Sequence, residues 1–269
     1  MKPVRRLRRF FSTQALPLAG GEVWLPSSET HHIRNILRLK PGDSCLVADG
    51  AGAEAEAKVK SFSEDGRTLL TVMKRKASAE VSSNGLEIRI CQAMLQKGKM
   101  DGLVEKAQEL GVQEIWPVET SRTVVKMSGE SSERVLARWE KIAREAAKQS
   151  GSLELVKISE PQKLDKVLAQ IPDGEKVAIF HPDAKAENFR EWVECLIPPP
   201  LSSPHEMGGG KQGGNTIYLF LGPEGGFSDQ EVEKMLKKKS AALVSLGKNI
   251  LKADTAFLAV ISALRLMNI

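Results

Sequence analysis

The sequence predicts an α/β protein in two parts: a small β-rich barrel over residues 1–80, then a mostly parallel sheet with covered faces over residues 85–269. Three observations predict it. Short apolar runs separated by tight turns fill the first eighty residues. From Leu86 onward, strand-like and helix-like segments alternate, the pattern of a parallel sheet between helices. The apolar run Ile217–Leu221 breaks on Gly222-Pro223-Glu224-Gly225-Gly226, and Ser228-Asp229-Gln230-Glu231 then opens a helix as a capping box.

In chain order, Arg9-Phe10-Phe11 reads as a first strand behind a basic arm, residues 1–8. Residues 1–21 contain no acid, so a short organellar presequence is the competing reading. Val23–Leu25, Ser44–Ala48, Ala53–Phe62 and Thr68–Met73 read as strands, with turns at Pro41-Gly42-Asp43, Asp49-Gly50 and Asp65-Gly66. His31–Arg38 reads as one helix burying Ile33, Ile36 and Leu37. Adjacent His31 and His32 point about 100° apart on a helix, a poor metal pair, and read as capping or packing residues. The serine-rich stretch Ala77–Gly85 suits a linker.

Leu86–Leu95 reads as a strand. Met100, Leu103, Val104, Ala107 and Leu110 fall at helical spacing, and Gly111 stops that helix. Val112–Val118 follows as a strand and Ser131–Gln149 as a long helix. The helix turns Val135, Leu136, Trp139, Ile142, Ala143 and Ala146 inward, and Arg134, Arg138, Lys141, Arg144 and Lys148 outward. Lys176–His181, Thr216–Leu221 and Ala242–Leu246 read as strands and Asp254–Met267 as a closing helix. The prolines, serines and glycines of 197–215 cannot bury enough apolar area to offset their ordering entropy, which predicts a disordered insertion.

Composition narrows the function. The net charge of +5 comes from Lys2, Arg5, Arg6, Arg8 and Arg9; the remaining basic residues balance the 34 acidic ones. Such a local arm suits phosphate contact rather than a general basic field. Aromatic residues at 5% argue against a base-stacking platform. Cys45, Cys91 and Cys195 are widely spaced and odd in number, which argues against a zinc site or disulfide framework and for a reducing compartment. No apolar run reaches the eighteen or so residues of a membrane span.

Ligands of open parallel sheets bind beyond the carboxyl ends of the strands. His181-Pro182, Gly222-Pro223 and Gly247-Lys248 all follow predicted strands, so three loops converge on one edge. The acidic residue Glu224 and the absence of a Gly-Lys-Ser/Thr ending exclude a P-loop and favour a ligand with a neutral or cationic end.

Six separated motifs resemble one family. They are Leu95–Met100, Glu105–Val112, Ser121–Lys126, Arg138–Ser150, Gly222–Gly226, and Leu246-Gly247 with Ile250–Ala256. Together with Arg9–Phe11 and His32–Asp43, they resemble the RsmE family, uridine-N3 methyltransferases of small-subunit ribosomal RNA. The likeness spans nearly all of the chain outside 197–215. It implies a SPOUT domain with a C-terminal trefoil knot, an N-terminal PUA-like barrel, a homodimer, and S-adenosylmethionine as methyl donor. The expected partner is small-subunit ribosomal RNA or the assembling small subunit, with no membrane, and the expected compartment is the cytoplasm if the source is bacterial, or a chloroplast or mitochondrion if the basic N-terminus is a presequence.

The donor would be held by His181, Leu221, Gly222, Pro223, Glu224, Gly225, Gly226, Leu246, Gly247, Asn249, Ile250, Leu251, Thr255 and Ala256. Methylating N3 requires its proton to leave. Arg122 and Lys252 are candidates to stabilise the uracil anion, and Glu224 and Asp254 to accept the proton; Asp254 reads equally as a helix cap. RNA phosphates would meet Arg5, Arg8, Arg9, Arg34 and Arg38 of the first part and Arg122, Lys126, Arg138 and Arg144 of the second. Against the family pattern, Lys248-Asn249 replace Pro-Arg, Lys252 replaces Arg, Asp254 replaces Glu and Ser152 replaces Arg. A SPOUT enzyme acting on another RNA, and a non-catalytic ribosome assembly factor, are the rival readings.

Overall fold

A computed structural model describes residues 7–76, 87–96, 98–123, 129–182, 186–196 and 216–267. Arg5, Lys126, the 1–6 portion of the arm and the 197–215 insertion therefore lie outside the described residues. The chain divides into two compact units, Met1–Val81 with Ala143–Leu155, and Ser82–Ile142 with Val156–Ile269.

The first unit is built on a five-stranded sheet. Its strands are β1 (Arg9–Phe11), β2 (Glu22–Leu25), β3 (Ser44–Ala48), β4 (Glu54–Phe62) and β5 (Thr68–Lys76), in the order β1-β3-β4-β5-β2. β1 runs parallel to β3 and the other pairs are antiparallel. Just past edge strand β1, the Ser12 hydroxyl donates to the carbonyl of Trp24 on the other edge strand, β2, at 3.5 Å. Alternation along β4 buries Ala55, Ala57 and Val59 with Phe10, Val23, Leu25, Val47 and Leu70. Buried Glu54, 5% exposed, accepts from Arg9 Nε and Lys76 Nζ at 2.8 Å each.

The predicted helix over 31–38 is instead a short helix α1 (Ser27–His31) running into a π turn, His32–Ile36. Pro26 starts α1 by fixing an extended backbone before it. The wider π turn buries Ile33 but leaves Ile36 61% exposed, correcting the expected stripe. His32 meets Phe10 edge-on, and His31 Nδ1 pairs with the Asn35 amide at 2.9 Å.

The second unit is an eight-stranded, wholly parallel sheet: β6 (Glu87–Ala93), β7 (Glu114–Glu119), β8 (Lys157–Ile158), β9 (Gln162–Lys163), β10 (Lys176–Phe180), β11 (Glu187–Asn188), β12 (Thr216–Leu221) and β13 (Ala241–Ser245). Their order is β11-β13-β10-β12-β6-β7-β8, with β9 also on β7. The helices are α2 (Lys99–Glu109), α3 (Glu130–Ser150), α4 (Leu164–Gln170), α5 (Phe189–Glu194), α6 (Asp229–Leu236) and α7 (Ala253–Leu266). The last turns of α3 belong to the first unit.

Strand alternation distributes the cores. Cys91, Ala93, Tyr218 and Phe220 pack toward α4 and α6 with Val167, Leu168 and Met235. α2 packs against α7, which also meets β12. Gly111 ends α2 at a left-handed φ of 69°, and Arg265 of α7 donates to the Leu110 carbonyl at 2.6 Å, satisfying that helix end. Trp139, Ala143 and Ala146 of α3 are buried as its period predicts, whereas Val135, Leu136 and Ile142 are half-buried.

The three cysteines are free, Cys45 and Cys91 in the cores and Cys195 exposed. Among the described residues no helix is long and apolar enough to cross a membrane.

Candidate functional site

Because every strand of the large sheet points the same way, β10, β12, β13, β6 and β7 all end at one rim. The register pairs Phe180 with Val244, Leu221 with Gln92, and Ala93 with Val118. At this rim a crevice is lined by Phe180, His181, Pro182, Val244, Ser245, Leu246, Gly247, Asn249, Ile250, Leu251 and Ala256. The structure thus brings together seven of the predicted donor-binding residues: His181, Leu246, Gly247, Asn249, Ile250, Leu251 and Ala256. Sequence reasoning did not commit to Phe180, Pro182, Val244 and Ser245; their place at two parallel strand ends was the available signal. The His181 amide donates to the Val244 carbonyl at 3.1 Å, while its buried Nδ1 has no partner among the described residues. Gly247 turns at φ 114°, a conformation that L side chains rarely adopt.

Leu221–Gly226 does not line the crevice itself; it follows β12, beside β10. Gly226 N–H closes a turn on the Pro223 carbonyl at 2.9 Å, with Glu224 and Gly225 exposed at its tip. Three side chains brace this loop. Gln92, fully buried on β6, donates from Nε2 to the carbonyls of Ala93, Leu221 and Gly222 at 3.0, 3.3 and 3.4 Å, leaving its Oε1 without a partner. Arg122 Nη1 donates to the carbonyls of Gly225 at 2.8 Å and Phe227 at 3.2 Å. Lys99 Nζ donates to Glu224 Oε1 at 2.8 Å.

Arg122 is aimed by a built turn. The Thr120 amide and hydroxyl meet the Thr123 hydroxyl at 3.0 and 2.8 Å. The Ser121 amide donates to Glu231 Oε1 at 2.6 Å, and the other Glu231 oxygen takes the Ser228 amide at 2.8 Å in the predicted capping box. Desolvation pushes the Glu231 carboxyl up, but the Ser228 and Ser121 donors outweigh it and hold the group below its ordinary range. One carboxylate therefore fixes both the start of α6 and the turn that carries Arg122.

These contacts bear on the chemical roles expected of two residues. Arg122 is engaged by loop carbonyls, so it fits a bracing role better than contact with a uracil anion. Desolvation pushes the Glu224 carboxyl up, yet Lys99 and the Gln96 amide together bring it below the ordinary carboxylate range. A carboxylate so stabilised is a weak proton acceptor. Asp254 stands in the first turn of α7, where its Oδ1 takes the Thr255 amide at 3.0 Å. The helix cap itself is Lys252, whose side chain makes no capping bond.

The predicted RNA contacts divide by partner. Arg9 is committed to Glu54, and Arg138 to Asp101, which also takes Trp139 Nε1 at 3.2 Å. Arg34 lies 5.7 Å from the Phe62 ring centre and is exposed, as are Arg8 and Arg38. Arg144 is half-buried.

Known proteins match this arrangement. The model of an RNA methyltransferase domain matches residues 82–265, and that of an RNA methyltransferase PUA domain matches residues 25–66. The ribosomal RNA small subunit methyltransferase E of Bacillus subtilis is 26% identical over 240 residues, covering 89% of this chain and 88% of its own. The Synechocystis protein of the same name is 29% identical over 87% of this chain and 69% of its own. Among solved structures, the ribosomal RNA small subunit methyltransferase E of Neisseria gonorrhoeae bound to S-adenosyl methionine superposes with a TM-score of 0.77 at 26% identity, covering 97% of this chain and 98% of that one. A putative methyltransferase of Legionella pneumophila, in complex with SAM, shares the fold with a TM-score of 0.80 at 24% identity over 97% of this chain and 98% of its own. With a family model spanning well over half its length, on a rim of the geometry described above, the chain belongs to the RNA methyltransferase family whose curated bacterial members carry the name ribosomal RNA small subunit methyltransferase E, or RsmE.

Proposed function

We propose that this protein uses S-adenosylmethionine to methylate N3 of a uridine in small-subunit ribosomal RNA. The observation that carries the reading is the rim crevice between β10 and β13, where the buried His181 Nδ1 has no partner among the described residues and the walls are largely apolar. Its chemistry fits the donor. Phe180, Val244, Ile250 and Leu251 offer an apolar slot for a purine, and His181 and Ser245 offer polar atoms to orient it. When bound there, the donor supplies an electrophilic methyl group on a sulfonium. The neighbouring Leu221, Gly222, Pro223, Glu224, Gly225, Gly226 and Thr255 complete the proposed binding set, and the acid Asp254 favours a cation.

The residues would act chiefly by positioning. Alignment of reacting groups supplies on the order of 7–11 kcal/mol of barrier lowering. Gln92 and Arg122 hold one loop in place for that purpose. Exposed Arg8, Arg34 and Arg38 are proposed phosphate contacts, with salt-dependent binding as their signature. The family reading also supports a homodimer and a C-terminal trefoil knot, both proposed. In a bacterium the substrate lies in the cytoplasm; in a eukaryote a short presequence within residues 1–8, ahead of β1, would direct the chain to a chloroplast or mitochondrion.

Small ribosomal subunits from a strain lacking the protein provide the test. Incubation with the purified chain and donor is expected to produce N3-methyluridine at one mapped nucleotide. Methylation only of transfer RNA, or RNA binding with no methyl transferred, would contradict it.

A further inference from the structure

We infer that Lys99, the first residue of α2, is the cation that stabilises the uracil anion formed when N3 loses its proton. The inference rests on the uridine-N3 reading above. It begins from a placement that helix electrostatics disfavours. The N-terminus of a helix is already positive, and acids rather than lysines belong there. Here Gly98, at φ 91°, caps α2 without a side-chain bond and Lys99 follows at once. A local rule broken in this way marks functional positions.

The geometry explains how the cation is held. Glu224, at the tip of the braced loop, takes one Lys99 donor at 2.8 Å. An ammonium carries three such donors, so this pairing directs Lys99 without exhausting it. The Lys99 side chain is 41% exposed, within reach of an RNA base. α2 follows β6 at its carboxyl end and packs against α7, whose first turn carries Asp254 and the crevice-lining Ala256. Lys99 therefore stands at the same rim as the donor crevice. The Glu224 hydrogen bond, opposed by a smaller desolvation effect, raises the proton affinity of Lys99, so it stays cationic and does not serve as a base. Of the two other candidate cations, Arg122 is engaged by the carbonyls of Gly225 and Phe227, and Lys252 is exposed at the cap of α7 with no capping bond to aim it.

The chemistry balances without a protein base. The N3–H bond breaks, its proton passing to solvent hydroxide and its electron pair remaining on the ring, shared with O2 and O4. Lys99 N–H groups and the positive end of α2 face that developing charge. N3 then takes the methyl group, the bond to the donor's sulfur breaking with its electron pair left on sulfur.

The test replaces the target uridine by 5-fluorouridine and uses Lys99→Met and Lys99→Arg. In the donor-free complex, the fluorine NMR shift reports N3 ionisation. Lys99→Met is expected to raise the N3 pKa by about one unit relative to the native protein, and Lys99→Arg to restore most of the difference. With donor and ordinary RNA, Lys99→Met should lower kcat about tenfold, the equivalent of that one unit, with little change in KM. Its rate should continue to rise with pH beyond the native plateau, and the more acidic 5-fluorouridine should recover much of the loss. Equal N3 pKa values in native protein and Lys99→Met, or equal losses in the Met and Arg variants, would overturn the proposal while native N3 methylation stands. Failure of the native protein to form N3-methyluridine would overturn the reading beneath it and the proposal together.

Discussion

The two loops at the sheet rim are built on opposite plans. Residues 221–227 are braced from behind by Gln92, from one side by Arg122 and at the tip by Lys99, and Pro223 and Phe227 are buried. Residues 246–252 have far thinner support: the Ser245 hydroxyl meets both the amide and the carbonyl of Gly247 at 3.3 Å, and Ile250 is 83% exposed. A braced loop and a lightly held one on either side of β10 suit a ligand that seats near the first and orders the second. Preorganisation lowers the entropic cost of binding on one side, and adaptability permits entry on the other.

The contrast can be broken most forcibly at Gln92. Gln92→Leu keeps the volume apolar but strands carbonyls in the core, and should cost about 3 kcal/mol of stability, read as a lower urea midpoint. Among the described residues no buried side chain braces 246–252 in the same way, so no single change there should cost as much. Next is Arg122→Ala, which removes two charge-assisted bonds from the braced loop. Donor affinity by calorimetry should fall about tenfold, with Arg122→Lys a poor substitute because a planar fork is lost.

A weaker effect follows from acid. The Glu224 carboxyl is depressed below its ordinary 4.5 in the folded protein, so its pairing with Lys99 is in force above that value and is lost as pH falls through the depressed one. The Gln96 and Gly225 amide resonances should follow that midpoint, while those of Gly247 and Lys248 should not. The smallest effect is expected at Ile250→Ala, with stability unchanged within about 0.5 kcal/mol and donor affinity about threefold lower.

What could be read from the sequence follows from how local its cause is. The capping box of Ser228 and Glu231 and the stop at Gly111 depend on neighbours in the chain, and both are found. Ser44–Ala48 and Thr216–Leu221 were delimited because turns or polar residues bound each apolar run. The two-residue strands β8, β9 and β11 exist only through their partners β7 and β13, and carry no pattern of their own. The π turn after α1 was hidden because 3.6-residue spacing was assumed through Ile36.

At the site, motif positions marked the loops but not their bracing. Gln92, a polar residue within an otherwise apolar strand, and Lys99, a cation at a helix start, were visible as anomalies. Only the tertiary pairing of β6 with β12, and of Lys99 with Glu224, gives them roles.

The central claim is that this rim encloses a sulfonium methyl donor. Amide hydrogen exchange of the folded protein, with and without S-adenosylmethionine, tests it most directly. Donor should slow exchange at the ends of β10 and β13 and most of all through 246–252, with a smaller change through 221–227. Unchanged exchange in all of these segments at saturating donor, with no heat of binding, would contradict it.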